Sequence, residues 1–463
     1  MKPIKQFETI DVNLLKKYSA PGPRYTSYPT APVFSPTFTA DDYEKEILRT
    51  NQRNDLPLSL YFHIPFCDTL CYFCGCTMLI TRDREKINSY VQYLKREMEI
   101  VRPLVHPDRV VDQIAWGGGT PTYLNPDEIL DLALATKKLF PFTSGIEAAV
   151  ELDPRGMTKA HLEALYEGGF NRASMGLQDF NEDVQRAVNR IQPEDMTRQV
   201  IEWAREVGFE SLNLDLIYGL PHQTMESFEE TLDRVIEINP DRFAVFHYAH
   251  VPWLKKHMAL IHEEDLPSPE TKLRILVRTI EKLNAAGYVY IGMDHFAKPD
   301  NELAIAQATK TLQRNFQGYS TKAGADLYGF GMTAISQFDR MYAQNMKSLA
   351  EYYPCIDDGR LATHVGYALS DDDVLRRNII MKLMCDFELD KRAVEREYAI
   401  HFDAYFADAL EQLRDIEADG CIRLSTDTIE VINAGKLIIR NIAMAFDAYL
   451  PKQREKQIFS KTV

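Results

Sequence analysis

The chain has 463 residues, of which 45% are hydrophobic and 26% charged, and its formal net charge is −15. This composition predicts a globular protein with room for two or three folded units, and the negative charge disfavours nucleic acid and anionic membranes, because both require a basic surface. No run approaches the roughly 18 apolar residues of a membrane span, and the first residues lack the apolar stretch of a signal peptide, so we expect a cytoplasmic protein.

A segment rich in proline and aromatic residues dominates the N-terminal part of the chain. Residues 21–38 read PGPRYTSYPTAPVFSPTF. The prolines exclude a helix, and the aromatic side chains gain free energy on burial, so a disordered tail is the less favoured alternative. We predict that residues 1–56 form an ordered arm that lies over another surface.

Four of the seven cysteines fall close together, at Cys67, Cys71, Cys74 and Cys76. The first three have the spacing C-x3-C-x2-C, and clustered thiolates bind a soft metal centre, either an iron–sulfur cluster or zinc. Structural zinc usually takes two ligand pairs separated by a longer loop, so we favour an iron–sulfur cluster. A helix face and a disulfide framework are weaker alternatives, because Pro65 and Gly75 interrupt a helix and nothing in the chain indicates export.

From residue 58 the chain alternates predicted strands and helices. The strands are predicted at 58–64, 110–116, 146–152, 172–177, 212–217, 243–249 and 288–293. Helices are predicted at 86–101, 126–140, 158–168, before Gly208, and at 225–238 and 270–286. Repeated βα units predict a parallel sheet. The candidate functional residues follow the strands, as on the active face of a TIM-like barrel, and they are the cysteine loop, Gly117–Thr120, Glu151, Asp153, Gln178, Asp215 and His247–His250.

The alternation stops after residue 293. Loops and short helices are predicted for 294–353, and the central unit is predicted to span 57–369. Amphipathic helices at 371–385 and 404–416, a hairpin at 421–432 and a helix at 436–449 predict a small helical or winged-helix domain over 370–463. This domain lacks a basic recognition stripe, so we expect a lid or packing role.

The segment WGGGTP at 116–121 follows a predicted strand, and its glycines let the backbone offer amides directly to a ligand. It lacks the lysine of a P-loop, so a phosphate site is weakly supported, and a simple tight turn stays an alternative. Glu151 in VELDP is a candidate carboxylate at a strand end, with a solvated acid as its alternative.

The cysteine spacing resembles that of radical S-adenosylmethionine (radical SAM) enzymes, in which three cysteines bind three irons of a [4Fe–4S] cluster and the fourth iron binds S-adenosylmethionine. The strings YFHIPFC…CYFCGC, PRYTSYP, GMDHFAKPDNEL, RNFQGYST and LIIRNI resemble the oxygen-independent coproporphyrinogen III oxidase family. The resemblance runs from about residue 20 to the C-terminus and is weakest in residues 253–264. It implies an α/β fold, a partial TIM-like (β/α)6 barrel with an N-terminal arm over the active site and a small, mainly helical C-terminal domain.

The resemblance also implies roles for single residues. The implied cluster ligands are Cys67, Cys71 and Cys74, and the implied catalytic residues are Cys76 and Glu151. The implied S-adenosylmethionine contacts are Tyr61, Phe73, Gly118, Gly119, Thr120, Glu151, Gln178, Arg190, Asp215, Ala249 and Ile335. Candidate partners for substrate carboxylates are Arg24, Lys255 and Lys256, for which an ordinary surface charge is the alternative.

The implied reaction converts two propionates of coproporphyrinogen III to vinyl groups and gives protoporphyrinogen IX for haem biosynthesis without oxygen. A 5′-deoxyadenosyl radical made from S-adenosylmethionine removes hydrogen from each propionate, so two S-adenosylmethionines are used per turnover. A low-potential electron donor such as flavodoxin or ferredoxin is implied, and we expect a monomer. A haem chaperone and an anaerobic haem-degrading radical SAM enzyme are the alternatives, and Cys76 and PRYTSYP argue against the chaperone.

Overall fold

The computed structural model describes residue 7, residues 10–453 and residues 459–462. The predicted arm and C-terminal domain also include residues 1–6, 8–9, 454–458 and 463, which lie outside the described residues. The division of the chain at residues 56/57 and 369/370 stays a prediction. Before the barrel the chain forms two helices, α1 (Val12–Lys17) and α2 (Ala40–Thr50).

The centre of the molecule is a series of parallel strands and helices. Its elements are β1 (Leu58–Ile64), β2 (Phe66–Cys67), β3 (Leu79–Ile80), α3 (Arg84–Val101), β4 (Val111–Gly118), α4 (Pro126–Leu139), β5 (Phe142–Leu152), α5 (Lys159–Glu167), β6 (Arg172–Gln178), α6 (Glu182–Ala187), α7 (Glu194–Val207), β7 (Ser211–Tyr218), α8 (Met225–Ile238), β8 (Arg242–His247) and α9 (Pro269–Ala285). Six strands pair in parallel in the order β1-β4-β5-β6-β7-β8. The predicted partial (β/α)6 barrel is confirmed.

Local sequence signals explain why these elements begin and end where they do. Asn125 caps α4 by accepting a hydrogen bond from the Glu128 amide, and Pro126 occupies the first turn. Gly208 ends α7 in the left-handed conformation, with φ of 110°. Helix α3 buries one face against the sheet through Ile87, Tyr90, Val91, Leu94 and Met98.

The segment after α9 extends the sheet. Its elements are β9 (Val289–Gly292), β10 (His295–Ala297), α10 (Glu302–Ala308), β11 (Gln313–Asn315), β12 (Gly318–Ser320), β13 (Asp326–Phe330), β14 (Ile335–Phe338), β15 (Met341–Asn345), α11 (Leu349–Asp357) and β16 (Thr363–Ala368). Strand β13 pairs in parallel with β1, and β14, β15 and β16 follow in antiparallel order. The prediction of loops and short helices for 294–353 is wrong, because these strands are too short for their periodicity to be visible.

The strand predicted at 288–293 is present but is not a further parallel unit. Strand β9 pairs antiparallel with β10, which pairs antiparallel with β8. Only Met293 and Asp294 connect β9 to β10. A parallel crossover needs a dozen or more residues, so this short link requires the antiparallel arrangement.

The C-terminal part is mainly helical, as predicted. Its elements are α12 (Asp371–Asp386), β17 (Glu388–Asp390), α13 (Lys391–Tyr398), α14 (Phe402–Tyr405), α15 (Ala407–Gln412), α16 (Arg414–Ala418), β18 (Ile422–Leu424), β19 (Thr428–Val431), α17 (Ile439–Met444) and α18 (Leu450–Gln453). Strands β18 and β19 form the predicted hairpin, and β17 adds a third strand. The helix predicted at 404–416 is divided among three short helices, and the helix predicted at 436–449 is regular only over α17.

Seven short 3-10 helices connect these elements within the described residues, at Ala31–Val33, Asn51–Arg53, Arg102–Leu104, Pro121–Tyr123, Lys256–Leu260, Glu263–Asp265 and Asn433–Lys436. None of the helices in the described part of the chain is long and apolar enough to cross a membrane.

The proline-rich segment is ordered. Tyr25 and Tyr28 are fully buried, and the Tyr25 hydroxyl donates to Asp447 at 2.9 Å. Arg440 of α17 donates to the backbone carbonyls of Gly22 and Pro23. The segment is therefore attached to the C-terminal part of the chain, while its predicted role of covering the active site stays a prediction.

Candidate active site

A cavity of about 480 Å³ lies inside the barrel. This is a common size for a pocket that binds a small molecule or cofactor. Its wall combines residues of the parallel strands with residues of the segment after β9, and it includes Tyr61, His63, Glu151, Asp215, Arg242, Phe246, His295, Phe316, Tyr319 and Ile335.

The cysteine loop follows β1 and is held from two sides. Strands β2 and β3 close its base, where the Leu79 amide donates to the Pro65 carbonyl at 2.7 Å. On the other side the Tyr72 amide donates to the Val188 carbonyl at 3.0 Å, and the Asn189 side chain donates to the Leu70 carbonyl at 2.8 Å. The backbone therefore fixes the loop at the end of the barrel strands.

Two arginines approach the cysteine sulfurs. Arg155 Nη2 lies 3.4 Å and Arg190 Nη1 lies 3.8 Å from Cys71 Sγ. Thr120 Oγ1 lies 3.4 Å from Cys67 Sγ. Burial raises the pKa of Cys67 to about 11. Positive groups beside thiols favour the thiolate form that binds metal.

A fourth sulfur lies next to this set. A hydrogen bond with Cys76 lowers the pKa of Cys74 to about 7, while Cys76 has its pKa raised and is exposed. No set of three or more His, Cys, Asp or Glu side chains within the described residues is arranged as the ligands of a metal ion. The fit to an iron–sulfur cluster depends on the chemistry of the donors, three soft thiols in one loop with cationic neighbours.

The glycine segment packs directly on the start of the cysteine loop. A Cβ atom on Gly119 would lie 2.5 Å from the Pro65 carbonyl carbon, so no other residue fits there without a shift. The Gly119 amide donates to the Ile64 carbonyl and the Thr120 amide to the Phe66 carbonyl, each at 2.8 Å. The close approach of β1 uses these two amides within the protein, and contacts of Gly119 and Thr120 with S-adenosylmethionine stay a prediction.

Two acids face the cavity. Glu151 Oε2 accepts the Gly118 amide at 3.1 Å, and burial raises the pKa of Glu151. Asp215 accepts from Asn213 Nδ2 at 2.7 Å and from Ser174 Oγ at 3.2 Å. Burial, and then the charge of Glu151, raises the pKa of Asp215 to about 7. Asp215 lies inside β7, which corrects its predicted position at the strand end.

The next group of predicted contacts lies around Arg190. Its Nη1 donates to Asp153 Oδ2 at 3.0 Å and its Nη2 to the Gly176 carbonyl at 2.6 Å, so the guanidinium is fixed beside the cysteine loop. Gln178 has a φ of 71°, and its Oε1 is buried without a partner. An unpartnered buried acceptor of this kind fits a donor group on a ligand.

The remaining predicted residues are divided between the cavity and its surroundings. Tyr61 and Ile335 line the cavity. Phe73 packs in a separate apolar cluster that includes Val184, Val188, Leu220 and Tyr248. Ala249 follows β8 and is half-buried.

The three candidate partners for substrate carboxylates lie in two places. Arg24 forms an ion pair with Asp294. Lys255 Nζ donates to the Cys76 carbonyl at 3.1 Å, and Lys256 is exposed. Lys255 therefore contacts the cysteine loop, whereas Arg24 belongs to the arm.

Sequence reasoning missed several residues of the site. His63 Nδ1 lies 3.2 Å from the Tyr61 hydroxyl, and its Nε2 lies 2.9 Å from the Thr77 carbonyl. The two-residue period of a strand places His63 on the same face as Tyr61, and this signal was available. His295 and Arg314 lie on short strands that the sequence did not predict, and they occur in GMDHFAKPDNEL and RNFQGYST only as part of the family resemblance.

Comparisons with known proteins agree with this arrangement. Residues 61–235 match the radical SAM superfamily and residues 369–438 match the HemN C-terminal domain. The chain is 46% identical to the oxygen-independent coproporphyrinogen III oxidase of Synechocystis sp., over 99% of each chain, and 48% identical to that of Salmonella typhimurium, over 98% of each. The solved structure of coproporphyrinogen III oxidase (HemN) from Escherichia coli, described as a radical SAM enzyme, is 46% identical and superposes with a TM-score of 0.91, covering 96% of this chain and 100% of that one.

The partial barrel and the three-cysteine loop define the class as radical SAM enzymes, whose cofactors are S-adenosylmethionine and a [4Fe–4S] cluster. Identity close to one half over nearly the full length identifies a narrower family within this class. The chain belongs to the oxygen-independent coproporphyrinogen III oxidase family.

Proposed function

We propose that this protein carries out the oxygen-independent oxidative decarboxylation of coproporphyrinogen III to protoporphyrinogen IX in haem biosynthesis. The observation that carries the proposal is the extent of the similarity, 46% identity over 99% of the chain. It includes the arm and the C-terminal part, which lie outside the barrel shared by radical SAM enzymes of many functions. Fold alone does not define a substrate, so agreement in these additional parts matters.

The cysteine loop is the proposed binding site of the cluster. Cys67, Cys71 and Cys74 supply the three thiolates, and Arg155 and Arg190 offset their negative charge from within 3.4 Å and 3.8 Å of Cys71. When bound, the cluster and S-adenosylmethionine supply the electron and the carbon radical that start the reaction.

The acids of the cavity are the proposed partners of S-adenosylmethionine. The Gly118 amide orients Glu151, and Asn213 and Ser174 orient Asp215, so both carboxylates are held before a ligand binds. Pre-oriented acceptors suit the amino and hydroxyl groups of this cofactor. The further proposed contacts are Tyr61, Phe73, Gly118, Gly119, Thr120, Gln178, Arg190, Ala249 and Ile335.

Cys76 and Glu151 are the proposed catalytic residues. Cys76 lies two residues after Cys74, one of the proposed ligands, and is itself outside the three-cysteine spacing. A thiol in this position can exchange a proton or hydrogen atom near the cofactor without being required to hold iron.

Several finer points belong to the same proposal. Two S-adenosylmethionines are used per turnover, since two propionates react. The electron donor is a low-potential protein such as flavodoxin or ferredoxin, and the enzyme acts as a cytoplasmic monomer whose arm covers the active site.

The test is an anaerobic reaction of the cluster-loaded protein with coproporphyrinogen III, dithionite and S-adenosylmethionine. We expect protoporphyrinogen IX and two equivalents each of 5′-deoxyadenosine and methionine. Haem binding without decarboxylation would favour a chaperone, and consumption of haem would favour a haem-degrading enzyme. Either result in place of protoporphyrinogen formation would overturn the proposal.

A further inference from the structure

Arg314 is a buried arginine whose donors are largely unused. It lies on β11 opposite Tyr319 of β12, is 5% exposed, and its guanidinium packs over the Tyr319 ring at 4.7 Å. Its Nη2 donates to the Arg24 carbonyl at 3.3 Å, but its Nε and Nη1 are buried without a partner. Buried donors are nearly always paired, so two free nitrogens on one side chain require an explanation.

Arg109, another buried arginine of this protein, has hydrogen-bond partners and an ion pair. Arg109 donates to Asp326 at 2.8 Å and to the Leu56 carbonyl at 3.1 Å. Among the described residues no carboxylate forms an ion pair with Arg314. An unpaired buried cation is destabilising, and an anion that binds beside it offsets this cost.

The surroundings of Arg314 are positively charged. The basic cluster, defined as Arg24, Arg314 and Arg440, has Asp294 as its ion-pair partner, and Asp294 binds Arg24. Arg440 donates to backbone carbonyls of the arm and the C-terminal segment. The net charge of the chain is −15, but this local excess of positive charge attracts a negative ligand.

The basic cluster reaches the wall of the barrel cavity. Tyr319, which carries the Arg314 guanidinium on its ring, lines the cavity, and so does His295, whose Nδ1 is buried without a partner. Arg24 packs over the ring of Phe246 at 5.7 Å, and Phe246 also lines the cavity. Arg314 and Arg24 thus lie directly behind aromatic rings of the cavity wall, and His295 lies in the wall itself.

We propose that Arg314, supported by Arg24 and His295, forms a carboxylate-binding site and that it receives a propionate of the tetrapyrrole substrate. The inference rests on the proposed function, which supplies a ligand with several carboxylates. Hydrogen bonds from a guanidinium to a carboxylate are among the strongest in proteins, and burial strengthens them further.

S-adenosylmethionine also has a carboxylate, so the position of the site must decide between the two ligands. Arg24, His295 and Arg314 all lie outside residues 61–235, the part that matches the radical SAM superfamily, whereas all proposed S-adenosylmethionine contacts except Ala249 and Ile335 lie inside it. The β11–β12 hairpin instead contacts the arm and the C-terminal part, where the Tyr319 hydroxyl donates to the Met384 carbonyl of α12 at 3.0 Å. A site built from parts outside the shared barrel fits the substrate better than the shared cofactor.

The test compares binding of three ligands to the cluster-loaded protein under anaerobic conditions. The first is coproporphyrin III, a stable oxidised form of the substrate; the second is its tetraamide, which has the same shape but no carboxylates; the third is S-adenosylmethionine. The variants are Arg314→Met, which keeps the bulk of the side chain, and Arg314→Lys, which keeps the charge. Arg102→Met is the matched control, because Arg102 also packs over an aromatic ring and donates only to carbonyls.

We expect Arg314→Met to raise the Kd for coproporphyrin III at least tenfold, Arg314→Lys to have an intermediate effect and Arg102→Met to have none. The Kd values for the tetraamide and for S-adenosylmethionine should stay within twofold in every variant. An unchanged Kd for coproporphyrin III, or equal weakening of the tetraamide, would overturn the inference. Weaker binding of S-adenosylmethionine alone would assign the site to the cofactor and overturn it as well.

The same samples separate this inference from the proposed function. If the wild-type protein forms protoporphyrinogen IX and Arg314→Met binds coproporphyrin III equally well, only the carboxylate site fails. If the wild-type protein neither binds coproporphyrin III nor forms protoporphyrinogen IX, the proposed function and the inference both fail.

Discussion

Two parts of the cavity wall differ in charge and in how their polar groups are hydrogen-bonded. The acidic wall, defined as Glu151, Ser174, Asn213 and Asp215, has carboxylates that already accept hydrogen bonds from neighbouring donors. The basic wall, defined as Arg242, His295 and Tyr319 with Arg314 behind it, has donors without acceptors at His295 and Arg314. The carboxylates of the acidic wall thus have partners within the protein, whereas the basic wall has unpartnered nitrogens at His295 and Arg314, although Arg242 pairs with Glu302.

This difference shows that the total charge of a protein is a poor guide to its ligands. The charge of −15 disfavours long-range attraction of an anion. Inside the barrel, however, interactions over a few ångströms in a medium of low dielectric constant outweigh the distant surface charges. Four experiments test whether the two walls differ in this way.

The largest effect is expected at the cysteine loop. Replacing Cys67, Cys71 or Cys74 by alanine should reduce iron and sulfide after anaerobic reconstitution to near background, because each thiolate holds one iron. Cys76→Ala should keep most of the iron and lose turnover. Cys355→Ala is the control, since Cys355 is a buried thiol of α11. Equal loss of iron in all four loop variants would make Cys76 a ligand and would contradict the assignment.

The second experiment tests whether the two walls bind different ligands. Glu151→Gln and Asp215→Asn each remove a carboxyl acceptor from the acidic wall, so binding of S-adenosylmethionine should weaken by about 1.5–3 kcal/mol, roughly ten- to a hundredfold. Calorimetry on the cluster-loaded variants measures this directly. The Kd for coproporphyrin III should change less than twofold, the opposite of the pattern expected for Arg314→Met. Equal effects on both ligands would remove the distinction between the walls.

The sequence predicts the acidic wall and the cysteine loop better than it predicts the basic wall. The barrel strands β4 to β8 carry capped, amphipathic helices between them, and these patterns are local, so the fold of this half was predicted closely. The cysteines were identified by their spacing. The position of Arg314 depends on a three-residue strand, and its missing partners depend on contacts with an arm 290 residues away. Unpaired donors are a property of the packed structure, and no sequence pattern records them.

The third experiment uses pH and the acidic wall. The folded-state pKa of Asp215 is raised from 3.8 to about 7, so between these values the folded protein holds a proton that the unfolded chain has lost. The contribution of Asp215 to stability therefore falls as pH rises through this window, by at most about 1.4 kcal/mol per pH unit. Urea unfolding of cofactor-free wild type and Asp215→Asn between pH 4 and 8 should show the wild type losing stability relative to the variant.

The comparison with the variant is necessary because other buried groups also titrate. Glu97 has its pKa raised to about 7 by burial and contributes a slope of the same sign. His247 and His295 have pKa values lowered to about 3, chiefly by burial, and contribute the opposite slope. Only the difference in unfolding free energy between wild type and Asp215→Asn isolates the contribution of Asp215. Parallel curves over the whole range would mean that Asp215 is ionised in the folded protein.

The smallest effect is expected for the two lysines beside the cysteine loop. Lys255 Nζ donates to the Cys76 carbonyl at 3.1 Å and Lys256 is exposed, so water already solvates both charges. Exposed ion pairs contribute at most about 1 kcal/mol, so Lys255→Ala and Lys256→Ala should each change the Kd for coproporphyrin III by less than about fivefold. Fluorescence titration with coproporphyrin III measures these variants and Arg314→Met under identical conditions. A loss larger than that of Arg314→Met would place the substrate carboxylates at the cysteine loop, and the basic wall would then be a structural feature without a role in substrate binding.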